Sequence, residues 1–229
     1  MRPVDRGSAP REYAQYEDAK PDLVSRLGLF CCYCERPIKT LLAVEHVLPK
    51  VIRPDLERDW TNFLLACTNC NSTKGDRPVD RAELILPDQD NSIRAFEYAR
   101  TGTVKPTTRL GQTVAAKAAS LLWMTGLDKF PDEFDGVEYV AALERWQQRS
   151  DAWKLAEIQK SEIAEADSEA LRRSTARMAL EAGFFSVWMT VFAADADMRS
   201  RFIEIFPGTA RDCFDLVSTE ALSRSGGHC

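Results

Sequence analysis

Two closely spaced cysteine pairs, Cys31 with Cys34 and Cys67 with Cys70, have the residue types and spacing of a metal centre. Zinc takes four thiolate or imidazole ligands in a tetrahedron, and Cys-x-x-Cys supplies two thiolates from one tight turn. The turns are separated by 32 residues, a segment too small to bury much apolar surface by itself, so a zinc staple has a structural use there. Four thiolates fill every position and leave none open for water, which makes the ion structural. Cys32 offers an alternative to Cys31, but a Cys-x-Cys bite is less usual, and Cys31 with Cys34 is taken as the pair. The plainer reading, free thiols in a reducing compartment, is disfavoured by two matched pairs.

Between and just after the pairs lie Glu45-His46, Pro49-Lys50, Asn62 and Asn71. Their types meet the demands of phosphodiester hydrolysis, which needs a base for water and a divalent cation at the phosphate. His46 is the one histidine outside the chain's last residues, and its neutral imidazole suits the base near pH 7. Glu45 offers a hard oxygen to magnesium and the Asn71 amide a second. Asn62 is placed to hold the His46 ring, and Lys74, one helical turn after Asn71, to touch phosphate. A lone histidine would more simply be structural; the company of Glu45, Asn62 and Asn71 argues for catalysis. Glu45 and His46 are neighbours on an expected strand, so they point to opposite sides unless the chain bends, and Pro49 makes a bend credible.

These residues need strands and a helix to hold them. Leu41–Val47 and Asn62–Ala66 read as strands, and Thr68–Gly75 as a short helix closed by glycine. Pro21–Gly28 reads as a brief helix. Phe96–Val104 suggests a hairpin turning at Thr101-Gly102. Beyond residue 108 the pattern turns helical: Gln112–Thr125 stopped by Gly126, then Glu138–Leu155, Glu157–Gly183 with a break at Asp167-Ser168, Phe184–Ala194, Met198–Phe206 and Thr209–Val217. The apolar run 183–192 reads as core, as do most of Trp123, Trp146, Trp153 and Trp188, and Cys213 as a core thiol. Glu157–Arg177 reads as a solvated face with i,i+4 pairs.

Composition sets limits. The chain has 229 residues, 45% of them hydrophobic, enough for a sizeable core. No run of eighteen apolar residues and no apolar leader is visible, so a cytoplasmic protein without a membrane partner is expected. The net charge of −5 argues against a large electrostatic footprint on nucleic acid. Residues 91–120 nevertheless hold Arg94, Arg100, Lys105, Arg109 and Lys117 against Glu97 alone, a stripe where a phosphate backbone could lie.

Cys-x-x-Cys, Glu-His-x-x-Pro-Lys, Trp-x-Asn-x-Leu and Cys-x-x-Cys-Asn-x-x-Lys-Gly-Asp, in that order over residues 29–77, resemble the HNH endonucleases with their ββα-metal fold. The resemblance implies His46 as general base, Glu45 and Asn71 as ligands of a catalytic Mg²⁺ or Mn²⁺, and Asn62 as the orienting residue. It also implies DNA as substrate, with Lys50 and Lys74 beside the chemistry. Relatives often carry Asp or His at the Glu45 position, and Asn71 stands for the motif's last histidine. More loosely, Arg2-Pro3, Cys-x-Tyr-Cys-Glu and Asp59-Trp60-Thr61-Asn62 with a helical C-terminal half resemble PtuB-like HNH proteins. Those are effectors of bacterial anti-phage systems such as Septu that work with an ATPase partner. The expected architecture is α+β: an N-terminal arm and short helix (1–28), a zinc-stapled ββα core (29–80), a basic connector (81–108), a helical domain (109–222) and a disordered tail (223–229). A zinc-stabilised binding or adaptor module without cleavage, or a nuclease for RNA or tRNA, are the alternatives.

Overall fold

The computed structural model describes residues 1–130 and 136–229, without the side chains of residues 137–139 and 141–143. Helix α1 (Lys20–Leu27) has Pro21 in its first turn and ends at Gly28, which takes φ +75°. Strands β1 (Ala43–His46) and β2 (Phe63–Ala66) pair antiparallel, with Glu45 opposite Leu64 and His46 opposite Phe63. Helix α2 (Thr68–Lys74) follows β2 directly, capped by Cys67 and closed by Gly75. This is the expected ββα unit. A second hairpin, β3 (Phe96–Tyr98) with β4 (Val104–Pro106), precedes α3 (Gln112–Thr125), which left-handed Gly126 stops. Helices α4 (Gly136–Glu165), α5 (Glu169–Ala182), α6 (Phe185–Val191) and α7 (Ala196–Ile205) pack on one another. The protein is α+β, with a helical C-terminal part. Among the described residues no helix is long and apolar enough to cross a membrane.

Two apolar clusters form. The first gathers α1, the β1–β2 hairpin, α2, α3 and Leu84, Ile85 and Leu86. The second is built on α4 to α7, with Trp188 stacked on Phe192 and Phe202 set at an angle against both. The expected irregular N-terminal residues tie the two together. Buried Arg2 donates to the carbonyls of Leu27 (2.9 Å) and Pro207, and its guanidinium lies between the Phe30 and Phe206 rings. Val4 bridges to Thr209.

Four expectations are corrected. Helix α4 runs unbroken through Ala156, which is fully buried and carries no breaking signal. The other expected break, at Asp167-Ser168, is present, and there the Ser168 hydroxyl accepts the Leu171 N–H at 3.2 Å to start α5. Thr209–Val217 is not a helix. It is a turn over Arg211–Cys213 followed by a loop capped by Asp215, whose carboxylate accepts the N–H groups of Val217 and Ser218. The tail expected to be disordered is docked: the Cys229 carbonyl accepts Asn91 N–H at 2.9 Å, and Asp90 accepts His228 N–H at 2.6 Å. Helix α3, grouped by pattern with the later helices, packs on α2 and β4.

Buried Asn91 secures this closure, its amide donating to the carbonyls of Cys213 (2.6 Å) and Leu222 (2.7 Å). Replacing it with alanine removes both bonds, leaving the Cys213 carbonyl with the Leu222 N–H alone. Asn91→Ala is expected to lower unfolding free energy in urea by roughly 2–4 kcal/mol, and Asn91→Asp by more, since a carboxylate would face both carbonyls. A change within error for both would show that the amide is not holding this closure.

Candidate active site and thiolate centre

The sulfur atoms of Cys31, Cys34, Cys67 and Cys70 lie within 4.8 Å of one another and all four residues are buried. Cys34 and Cys67 Sγ are 3.7 Å apart. A tetrahedron with zinc–sulfur bonds of about 2.3 Å has edges of about 3.8 Å, so the thiols fit the ion. The first turn closes through Glu35 N–H to the Cys31 carbonyl (2.9 Å), with Glu35 at φ +66°. The second is the start of α2, where Cys67 Sγ accepts the Cys70 N–H at 3.4 Å. Cys32 turns away: its N–H bonds to Leu65, and burial pushes its thiol up to about 11. The choice of Cys31 over Cys32 agrees with this geometry.

The centre is wired to the helical part. Arg145 of α4 lies with Nη1 3.8 Å from Cys70 Sγ, and donates to the carbonyls of Thr125 (2.8 Å) and Gly126 (2.9 Å). On the other side the Glu35 carboxylate accepts the Ser186 hydroxyl at 2.8 Å, and the Glu35 carbonyl accepts Phe184 N–H at 3.0 Å. Burial works against the Arg36 charge, and the surrounding thiolates outweigh it. No motif announces Arg145, because its partner is 75 positions away.

The second centre is a cleft of about 170 Å³ beside β1 and α2, walled by Glu45, His46, Asn71, Lys74 and Asp76 among others. It brings together Glu45, His46 and Asn71. His46 Nε2 is 2.9 Å from the Glu57 carbonyl. A carbonyl only accepts, so Nε2 carries the proton and Nδ1 keeps the lone pair. Burial lowers the His46 pKa, partly offset by the Glu57 carbonyl, and the ring packs edge-on against Tyr16 and Phe63. Asn62 lies outside the cleft wall. Its Oδ1 accepts Leu48 N–H (2.8 Å), and its Nδ2 donates to the Leu48 carbonyl (2.9 Å) and more distantly to that of Leu56 (3.5 Å). It clamps the β1–β2 loop that carries Glu57, so its hold on the imidazole runs through backbone.

Glu45 is buried, its Oε1 2.8 Å from Lys74 Nζ and 3.3 Å from the Tyr33 hydroxyl. Burial raises its pKa and the ammonium opposes the rise. Lys74 also donates to the His46 carbonyl at 2.8 Å. It lines the cleft, but its charge is already engaged. Of the other cations singled out from sequence, Lys50 lies at the cleft edge, over the Tyr16 ring and 3.4 Å from Glu57. Arg94, Arg100, Lys105 and Arg109 do not wall it. Arg94 donates to Ser223, Arg100 pairs with Glu157 (2.8 Å) and Arg109 with Glu97 (3.5 Å), while exposed Lys105 sits opposite Glu97 in the β3–β4 register. Tyr16 and Asp76 were passed over in the sequence; Asp76 directly follows the glycine that ends α2, and that position was the available signal.

Purified protein is expected to contain equimolar zinc by mass spectrometry. Cys34→Ser should lose most of it together with several degrees of melting temperature. Arg145→Met should keep the metal but release it faster to a chelator. Full stability of Cys34→Ser without metal would show the staple to be dispensable.

Residues 31–77 match the model of the HNH endonuclease family. The Septu protein PtuB of Bacillus thuringiensis is 36% identical over 78 residues, which cover 31% of this chain and 30% of that protein. The alignment therefore spans under a third of that relative's length. The ββα unit and the four-cysteine cluster both fall within residues 31–77, the segment that is similar to the HNH endonuclease domain.

Proposed function

We propose that this protein is a metal-dependent endonuclease that hydrolyses DNA phosphodiester bonds, serving as a cytoplasmic effector of anti-phage defence alongside an ATPase partner. The observation that carries the catalytic part is the convergence of Glu45, His46 and Asn71 on one cleft. The defence role and the partner rest on the likeness to the Septu protein PtuB.

In this reading the His46 Nδ1 lone pair takes the proton of the attacking water, while the Glu57 carbonyl holds the ring and Asn62 holds the loop. Glu45 and Asn71 would hold a magnesium or manganese ion, both offering the hard oxygens such ions take. The Lys74 ammonium at 2.8 Å opposes the burial that drives Glu45 toward its neutral form, and it also opposes a second cation beside the carboxylate. When bound, the cation would stabilise charge on the phosphate and the leaving oxygen. Lys74 and Tyr33 share Glu45 Oε1 and fix the carboxylate's orientation.

The same Lys74 ammonium favours one competing reading: a zinc-stapled binding module has no need of a divalent ion at Glu45, and a lysine would suffice there.

The test is nicking of supercoiled plasmid in Mg²⁺ or Mn²⁺. His46→Ala is expected to slow it at least roughly 100-fold, the contribution of a positioned base. Glu45→Gln should raise the metal concentration needed. Asn62→Ala should lower kcat by up to roughly 100-fold through misplacement of the ring. Cleavage of RNA but not plasmid would redirect the substrate assignment. Binding without cutting, in the presence of the partner, would favour the module.

A further inference from the structure

Trp123 departs from the burial expected of tryptophan in this chain. It lies near the end of α3 and is 59% exposed, while Trp188 is fully buried. An exposed indole offers a flat apolar face with a polar edge to a binding partner. It is also not bare. The Arg77 guanidinium carbon sits 4.8 Å from its ring centroid, with Nη1 3.5 Å from the Met124 carbonyl. Arg77 is exposed and makes no ion pair among the described residues. In that it differs from Arg100 and Arg109, which have acidic partners.

The place of this pair gives it meaning. Gly75 and Asp76 wall the catalytic cleft, and Arg77 is the next residue. Helix α3 packs on α2, the helix that supplies Asn71 and Lys74 to the cleft. Neighbouring Cα atoms are about 3.8 Å apart. The chain thus leads from the cleft wall at Asp76 directly to Arg77, whose guanidinium lies on the indole.

We infer that Trp123 and Arg77 form a stacking platform for an unpaired base a few nucleotides from the scissile phosphate. The substrate class that follows is nucleic acid with single-stranded, frayed or bulged nucleotides. This rests on the nuclease reading above and narrows it. A tryptophan face accepts any base, and an arginine beside it adds cation–π and phosphate contacts. A base in an intact duplex is stacked on its neighbours and does not offer its face. The platform also accounts for a nucleic-acid enzyme with net charge −5: part of the grip comes from stacking, which needs no broad basic surface.

The test uses the full chain carrying His46→Ala, so that the probe is not cut, and fluorescein-labelled thymidine dodecamer as single strand and as duplex with its complement. Fluorescence anisotropy measures binding. Relative to that parent, Trp123→Ala is expected to weaken single-strand binding about ten-fold or more, and Trp123→Phe less than about three-fold. Arg77→Gln should fall between them. Duplex affinity should change little. A dodecamer abasic at every position should remove the difference between parent and Trp123→Ala. In the enzyme with His46 intact, Trp123→Ala should raise KM and spare kcat. Equal single-strand affinity for parent and Trp123→Ala overturns the platform while leaving the nuclease reading standing. Equal loss on duplex and single strand overturns the claim of an unpaired base. A parent that binds neither probe, with no plasmid cutting by the chain with His46 intact, overturns the nuclease reading and the platform with it.

Discussion

Four buried sulfurs held within 4.8 Å of one another are the constraint behind the rest of the molecule. Bare thiolates at that spacing repel, and thiols are poor hydrogen-bond partners; a dication resolves both problems. A zinc tetrathiolate would carry surplus negative charge, and Arg145 and Arg36 stand where they would meet it. The geometry of the cleft follows. Cys67 and Cys70 fix the start of α2, Asn71 is the next residue along, and Lys74 is one turn further. Every group that α2 brings to Glu45 is therefore placed by the thiolate centre.

Within the cleft, two buried opposite charges decide the electrostatics. Glu45 without Lys74 would be a carboxylate in an apolar setting, driven toward its neutral form. With Lys74 it can stay charged, and the lysine is itself held by the His46 carbonyl. His46 and Glu45 thus share one anchoring ammonium. Burial lowers the His46 pKa and raises that of Glu45, so both consecutive residues are pushed toward their uncharged forms, with Lys74 opposing the push on Glu45.

Much of this was legible along the chain because it is local. Cysteine spacing, the Glu45-His46 step, Asn71 after Cys70 and the glycines at 28, 75 and 126 are all signals within a few residues. The helices with clear periodicity, such as α3, were legible for the same reason. What escaped was non-local. The turn at Arg211–Cys213 and its following loop replace a helix because Asn91 and Asp215 satisfy backbone groups there. The last residues are docked because Asp90 and Asn91 receive them. Asn62 was singled out to hold the ring, yet its partners are Leu48 and Leu56 backbone, while the ring's partner is the Glu57 carbonyl, which no side-chain motif encodes. The basic stripe read from residues 91–120 omitted Glu157, which meets Arg100 from α4.

The contacts of Glu35 and Arg145 bear on how such a protein can be inherited. Residues 31–77 have the outline of a portable cassette, short and self-stapled. Yet Glu35 meets Ser186, 151 positions away, and Cys70 meets Arg145. A recombination event that exchanged only the motif-bearing segment would strand a carboxylate and a guanidinium inside a foreign interior. Lineages carrying this arrangement are thus bound to transmit nuclease segment and helical layer together, and divergence in one has to be answered by change in the other.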